Sequence, residues 1–89
     1  MTNNLIEVYD FLKDKIHNII SQYGFTYDAC RLIKSEFTIF GVDLKHVSPI
    51  YSLTSSSLEG IDCRYVQDNK KYSLTLTESS HKFQELKWL

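Results

Sequence analysis

The chain has 89 residues, 43% of them hydrophobic, 13% aromatic and 24% charged, with 10 basic residues set against 11 acidic ones. That length holds one small domain, residues 1–89, and leaves no room for a TIM barrel or a two-domain dinucleotide-binding enzyme, while the composition is that of a folded chain rather than a disordered one. A net charge of −1 argues against nucleic acid as a partner, because non-specific binders need a basic excess to neutralise phosphates.

No stretch approaches the roughly 20 apolar residues of a membrane span. Glu7, Asp10, Lys13, Asp14 and Lys15 interrupt any apolar run near the start, so no signal peptide is expected. Cys30 and Cys63 form no C-x-x-C pair. A secreted domain this small would carry several bridges, so a cytoplasmic protein with two reduced thiols is expected, one long-range disulfide being the alternative.

The first element is an amphipathic helix over about residues 4 to 23. Leu5, Val8, Tyr9, Leu12, Ile16, Ile19, Ile20 and Tyr23 recur at helical spacing on one stripe. Asn4 followed by Glu7 has the form of a capping box, and Glu7 and Asp10 suit the positive end of the helix dipole. Gly24 stands where a left-handed residue would end the helix, with Phe25 folding back toward Ile20 in a Schellman-type closure.

Residues 26 to 35 read as a helical turn or a strand, and the balance tips toward strand after Cys30. Residues 36 to 47 read as a strand with a fault: the apolar phase is odd at Phe37 and Ile39 and even at Val42 and Leu44, which a bulge at Gly41 would repair. Pro49 restricts Ile50 to Leu53 to a short or edge strand. Thr54-Ser55-Ser56-Ser57 reads as an exposed loop.

A hairpin follows. Ile61, Cys63 and Tyr65 alternate with polar residues, as do Tyr72, Leu74 and Leu76, around a turn at Gln67-Asp68-Asn69-Lys70. Pairing Val66 with Lys71 sets Tyr65 opposite Tyr72, Cys63 opposite Leu74 and Ile61 opposite Leu76, all on one face; a one-residue slip would destroy this agreement. For the tail, Ser79 or Ser80 capping a short helix with Phe83 and Leu86 is the favoured reading. A strand, with Leu86 and Trp88 on one face, is the alternative. The expected fold is α+β: one long N-terminal helix packed on an antiparallel sheet of three to five strands, with that short C-terminal helix in addition.

Chemistry-bearing patterns are scarce. His17, His46 and His81 lack metal-ligand spacing and read as solvated, so neither metal nor cofactor is expected. Cys63 with His46 is the one conceivable nucleophile–base pair, but an inward Cys63 would resist forming a thiolate. Gly24, Gly41 and Gly60 are too scattered for a phosphate loop, and no helix-turn-helix is expected. Lys70 and Lys71 read as a solvated turn. Tyr65 and Tyr72 could stack bases only on an uncovered sheet face.

Phe11 breaks the pattern. It projects about 120° outside the apolar stripe of the first helix, among Glu7, Val8, Asp14 and Lys15. It is an isolated exposed hydrophobe, an aromatic anchor ringed by polar groups, or a residue covered by residues 25 to 35. The hydroxyl-rich outer hairpin face (Asp62, Arg64, Ser73, Thr75, Thr77) is a second surface, read as solvated. With no enzyme signature, the expectation is a non-enzymatic protein-binding module of the inhibitor, immunity or phage-antagonist kind. It would bind another protein through Phe11, Glu7, Asp14, Lys15 and Asn18. A homodimer assembled through a sheet edge or through Phe11 is the competing class, and a small enzyme or nucleic-acid binder with no recognisable motif comes third.

Overall fold

Two helices and four strands follow one another in the chain, in a computed structural model that describes residues 4–86. Helix α1 spans Leu5–Tyr23, and the Asn4 side chain caps it by accepting the Glu7 N–H at 2.9 Å. Leu5, Val8, Tyr9, Leu12, Ile16 and Ile19 are buried along the expected stripe. Tyr23 is 41% exposed, so the stripe ends one turn earlier than its periodicity implies. Gly24 takes φ 70 but ψ −163, an extended exit rather than the left-handed helical turn of a Schellman closure. Phe25 packs, half-buried, on the core. Thr26 serves both helices: its hydroxyl donates to the Tyr23 carbonyl at 3.0 Å and accepts the Ala29 N–H at 3.3 Å.

Helix α2 spans Tyr27–Ile39, which resolves residues 26–35, open between a helical turn and a strand, as helix, and corrects the reading of residues 36–45 as strand; β-structure begins only at His46. Its buried residues, Ala29, Cys30, Ile33 and Phe37, follow a 3.6-residue period. The phase change at Gly41 is real, but it marks a helix end and not a bulge. Gly41 has φ 83, its N–H donates to the Thr38 carbonyl at 3.0 Å, and the Val42 N–H donates to the Phe37 carbonyl at 2.9 Å. That pair of bonds is the Schellman motif. It turns the chain back toward the sheet so that Val42 and Leu44 are buried with Phe37.

Strands β1 (His46–Tyr51), β2 (Leu58–Gln67), β3 (Lys70–Thr77) and β4 (His81–Leu86) form one antiparallel sheet in the order β1-β2-β3-β4. Tyr65 faces Tyr72, Cys63 faces Leu74 and Ile61 faces Leu76, the register the alternation predicts. The turn is tighter than expected: Gln67 pairs with Lys70, leaving Asp68 (φ 53) and Asn69 (φ 62) in the left-handed region that a type I′ hairpin requires. Pro49 lies on edge strand β1, as expected, beside a register shift between Ile50 and Tyr51.

The tail is a strand, not a helix. Ser80 is consumed by the β3–β4 turn: its carbonyl accepts the Thr77 N–H at 2.8 Å, and its own N–H donates to the Thr77 hydroxyl at 3.1 Å. Neither group is then free to start a helix. Trp88 lies outside the described residues.

Strand alternation divides the sheet into two faces. Val47, Cys63, Leu74 and Phe83 form one inward row, and Pro49, Ile61, Leu76 and His81 another. The outward rows are His46, Arg64, Ser73 and Gln84, and Ser48, Asp62, Thr75 and Lys82. Both helices cover the inward face, and Ile16, Ile33, Phe37, Ile61, Leu74 and Leu76 are fully buried in the shared core. Each such side chain contributes about 1.5–3 kcal/mol relative to exposure.

Packing constrains Gly60 and backbone geometry constrains Gly41. A Cβ on Gly60, in the central strand β2, would lie 2.6 Å from the Leu76 carbonyl oxygen. Gly60→Ala should therefore lower stability by about 1–3 kcal/mol. Gly41→Ala should lower it by about 1–2 kcal/mol through the positive φ. Urea denaturation of the two variants checks both values; wild-type midpoints would contradict this packing.

Candidate interaction surface

Helix α1 lies between two neighbours, and its sides differ accordingly. At 100° per residue, Phe11 and Lys15 fall on the flank facing α2, while Ile6, Asp10, Lys13 and His17 fall on the opposite flank, toward β4. Glu7, Asp14 and Asn18 occupy the outward crest between them.

On the α2 flank Phe11 is 73% exposed, so residues 25 to 35 do not cover it. It is not isolated either. The Phe40 ring stands against it, centroids 5.0 Å apart and planes at 60°. One turn along, the Lys15 ammonium meets the Glu36 carboxylate at 2.7 Å. An edge-on aromatic pair contributes about 0.5–1.5 kcal/mol, and a partly exposed ion pair at most about 1 kcal/mol. These contacts fix the crossing of α1 and α2 and leave most of the Phe11 ring in solvent. Ile39, next to Phe40, is 70% exposed.

Of the sequence-predicted site residues, the structure therefore joins Phe11 and Lys15 to α2. Glu7, Asp14 and Asn18 are exposed along the crest. Glu7 also borders a hollow of about 320 Å³ lined by Leu5, Ile6, Gln67, Tyr72 and Phe83. Sequence reasoning missed Glu36, Ile39 and Phe40. Their i, i+3, i+4 spacing was a usable signal, but only once residues 27–39 are read as a helix.

A second cluster sits on the β4 flank. The Tyr9 hydroxyl and His81 Nδ1 are 2.5 Å apart. The Tyr9 ring meets Phe83 edge-on at 5.0 Å, and the His17 and His81 rings stack at 4.3 Å. His17 and His81 are thus neighbours rather than separate solvated side chains. Burial lowers the pKa of His81, and the positive charges of His17 and Lys13 lower it further. With His81 neutral and unprotonated at Nδ1, that nitrogen accepts a hydrogen bond from the Tyr9 hydroxyl. Burial, and then Asp10, raise the pKa of Tyr9. Beside the pair lies a hollow of about 280 Å³ bordered by Ile20, Phe25, Thr77 and Glu78.

Other chemistry is not brought together. Val47 is the residue that pairs with Cys63, so its neighbour His46 points to the opposite face, where Nε2 meets the Ser48 hydroxyl at 2.8 Å. Cys63 and His46 therefore form no nucleophile–base pair. Cys30 and Cys63 are buried, unbridged thiols, and burial raises the pKa of both. Among the described residues no group of three or more His, Cys, Asp or Glu side chains is arranged to hold a metal. No helix of the described residues is long and apolar enough to cross a membrane.

No protein-family model, curated protein or solved structure matches the chain.

The histidine pair gives a pH dependence of definite sign. The folded state lowers the pKa of His81 below the usual 6.5, so on acidification the unfolded chain takes up this proton first. The stabilisation is complete above about pH 6.5 and is lost as pH falls through the folded-state value. The charged and titratable groups around His81 are His17, Lys13 and Tyr9 of α1 and Glu78 of the β3–β4 turn. Melting temperature should fall between about pH 7.5 and pH 5, and His81→Gln should flatten that step. An equal slope in wild type and variant would contradict the assignment.

Proposed function

We propose that the protein is a binding module without catalytic activity, which works by occupying the surface of another protein as an inhibitor, immunity protein or phage-type antagonist does. The observation that carries this reading is the Phe11–Phe40 pair with Ile39 beside it: two largely exposed apolar side chains on two helices, held in place by Phe40. Glu7, Asp14, Lys15, Asn18 and Glu36 surround them. A central aromatic ringed by polar groups is the usual layout of an interface hot spot. The Phe40 contact and the Lys15–Glu36 pair add rigidity, which lowers the ordering cost of association. Two buried, unbridged cysteines suit a reducing compartment, so the proposed setting is the cytoplasm.

The partner would present a small apolar recess edged by both signs of charge. The module acts by steric exclusion, so affinity rather than turnover is what selection would tune.

A photoreactive phenylalanine analogue at position 11 tests the reading in cells of the native host. It should crosslink one discrete protein, and the same analogue at Thr75, on the outward sheet face, should not. Phe11→Asp should then weaken binding of that protein at least about 30-fold, equivalent to about 2 kcal/mol. Its melting temperature should stay within a few degrees of wild type. Identical crosslinks from positions 11 and 75, or a Phe11→Asp chain that no longer folds, would overturn it.

A further inference from the structure

The two edges of the sheet are not equivalent. Edge strand β1 carries Pro49 and a register shift, two features that block further pairing. Edge strand β4 carries neither, and no described strand lies beyond it. We propose that β4 pairs antiparallel with β4 of a second copy, joining the two sheets into one eight-stranded sheet with a two-fold axis at Phe83.

The backbone sets the register. The Thr77 N–H donates to the Ser80 carbonyl, so Thr77 and Ser80 are a hydrogen-bonded pair of the β3–β4 ladder. Such pairs alternate along an antiparallel ladder. Lys82, Gln84 and Leu86 therefore turn their backbone groups toward β3, and His81, Phe83 and Glu85 turn theirs outward from the sheet edge. The outward set is symmetric about Phe83. A second β4 centred there matches Phe83 with Phe83 and His81 with Glu85 in both directions, so all six outward N–H groups find carbonyls. Centring on Gln84 would satisfy only four of them among the described residues, and a one-residue slip would put inward side chains on the outward face.

The side chains agree with this register. His81 meets the Glu85 carboxylate of the other copy twice, and Lys82 meets Gln84 on the outward face. No like charges stand opposite each other, as cross-strand pairing requires. Phe83 is only half-buried in the single chain and borders the 320 Å³ hollow with Ile6, itself 51% exposed. Both gain cover when the second copy docks. The two-fold axis also sets the two α1 helices antiparallel across the junction, with Ile6, Asp10 and Lys13 on the facing flanks, so Asp10 of one approaches Lys13 of the other. The Phe11–Phe40 surface lies on the opposite flank of α1 and remains open, so the dimer is independent of the proposed binding role.

The full-length chain tests this by size-exclusion chromatography with light scattering. The expected mass is twice 10.4 kDa at high micromolar concentration. Glu85→Pro, which removes an outward N–H, and Glu85→Lys, which replaces the carboxylate facing each His81 with a cation, should each give the monomer mass with circular dichroism unchanged. Phe11→Asp should remain dimeric. Mixing Lys82→Cys with Gln84→Cys should give an oxidised heterodimer, because directly opposed Cα atoms of a non-hydrogen-bonded pair lie about 4.5 Å apart, within disulfide reach. Either variant alone should crosslink far less. A monomeric wild type, a dimer that survives both Glu85 substitutions, or one dissolved by Phe11→Asp would overturn the proposal. So would preferential self-crosslinking of Gln84→Cys.

Discussion

The structure depends on one constraint: a four-stranded sheet with a single apolar face has to be covered. Ile61, Cys63, Leu74 and Leu76 are fully buried in the middle of that face. A helix shields a strip about 10 Å wide, and neighbouring strands lie about 4.8 Å apart, so four strands need two helices side by side. Helix α1 covers the β4 side, where Tyr9 meets Phe83 and His81, and α2 lies toward β1. The joints serve that placement. Thr26 binds the end of α1 to the start of α2, and the Schellman turn at Gly41 brings Val42 and Leu44 under the second helix. The chain then enters β1 directly, with no long connection to order.

Covering one face also determines what remains outside. The outward sheet face is hydroxyl-rich and mixed in charge, with Asp62 and Arg64 paired at 3.1 Å, and it has the chemistry of a solvated surface. The helix layer is where apolar groups are left over. Two helices meeting at an angle cannot bury every side chain at their outer junction, and Phe11, Phe40 and Ile39 lie at or beside that junction. The β4 flank carries the other remainder, Ile6 and Phe83, next to an unblocked strand edge. The two proposed contacts are thus the two borders of α1, and each can be disturbed without the other.

Much of this was legible in the residues. The first helix was, because six of its eight stripe positions are buried where a 3.6-residue period puts them. The hairpin register was, because only one pairing keeps Tyr65, Cys63 and Ile61 on the face of Tyr72, Leu74 and Leu76. The angle of Phe11 set it outside the stripe, but whether residues 25 to 35 cover it depended on the path of α2, which leaves it 73% exposed. Residues 36–45 were misread as strand, and the open reading of 26–35 leaned the same way after Cys30, because Phe37, Ile39, Val42 and Leu44 look like an interrupted alternation. The spacing of Ala29, Cys30, Ile33 and Phe37 carried the better signal, and Gly41 ended a helix instead of kinking a strand. The tail was misread because β4 places His81 and Glu85 inward, which hides its alternation. On that face Tyr9 supplies His81 with a hydrogen-bond partner 72 residues away in sequence, which local pattern cannot reveal. Phe40 and Glu36 were missed for the same reason: their partners are on another element.

The central claim is that helix layer and sheet open only together, and the two cysteines report on it from both sides. Cys30 lies on α2 and Cys63 on β2, both are buried, and burial holds both thiols in their unreactive protonated form. Labelling the native chain with a disulfide reagent across a denaturant series measures how each becomes accessible. Both thiols should react at one rate, and this rate should track global unfolding at every denaturant concentration. Labelling of Cys63 at the rate of an exposed thiol while circular dichroism remains native would contradict it. So would labelling of Cys30 alone, since α2 would then leave the sheet by itself.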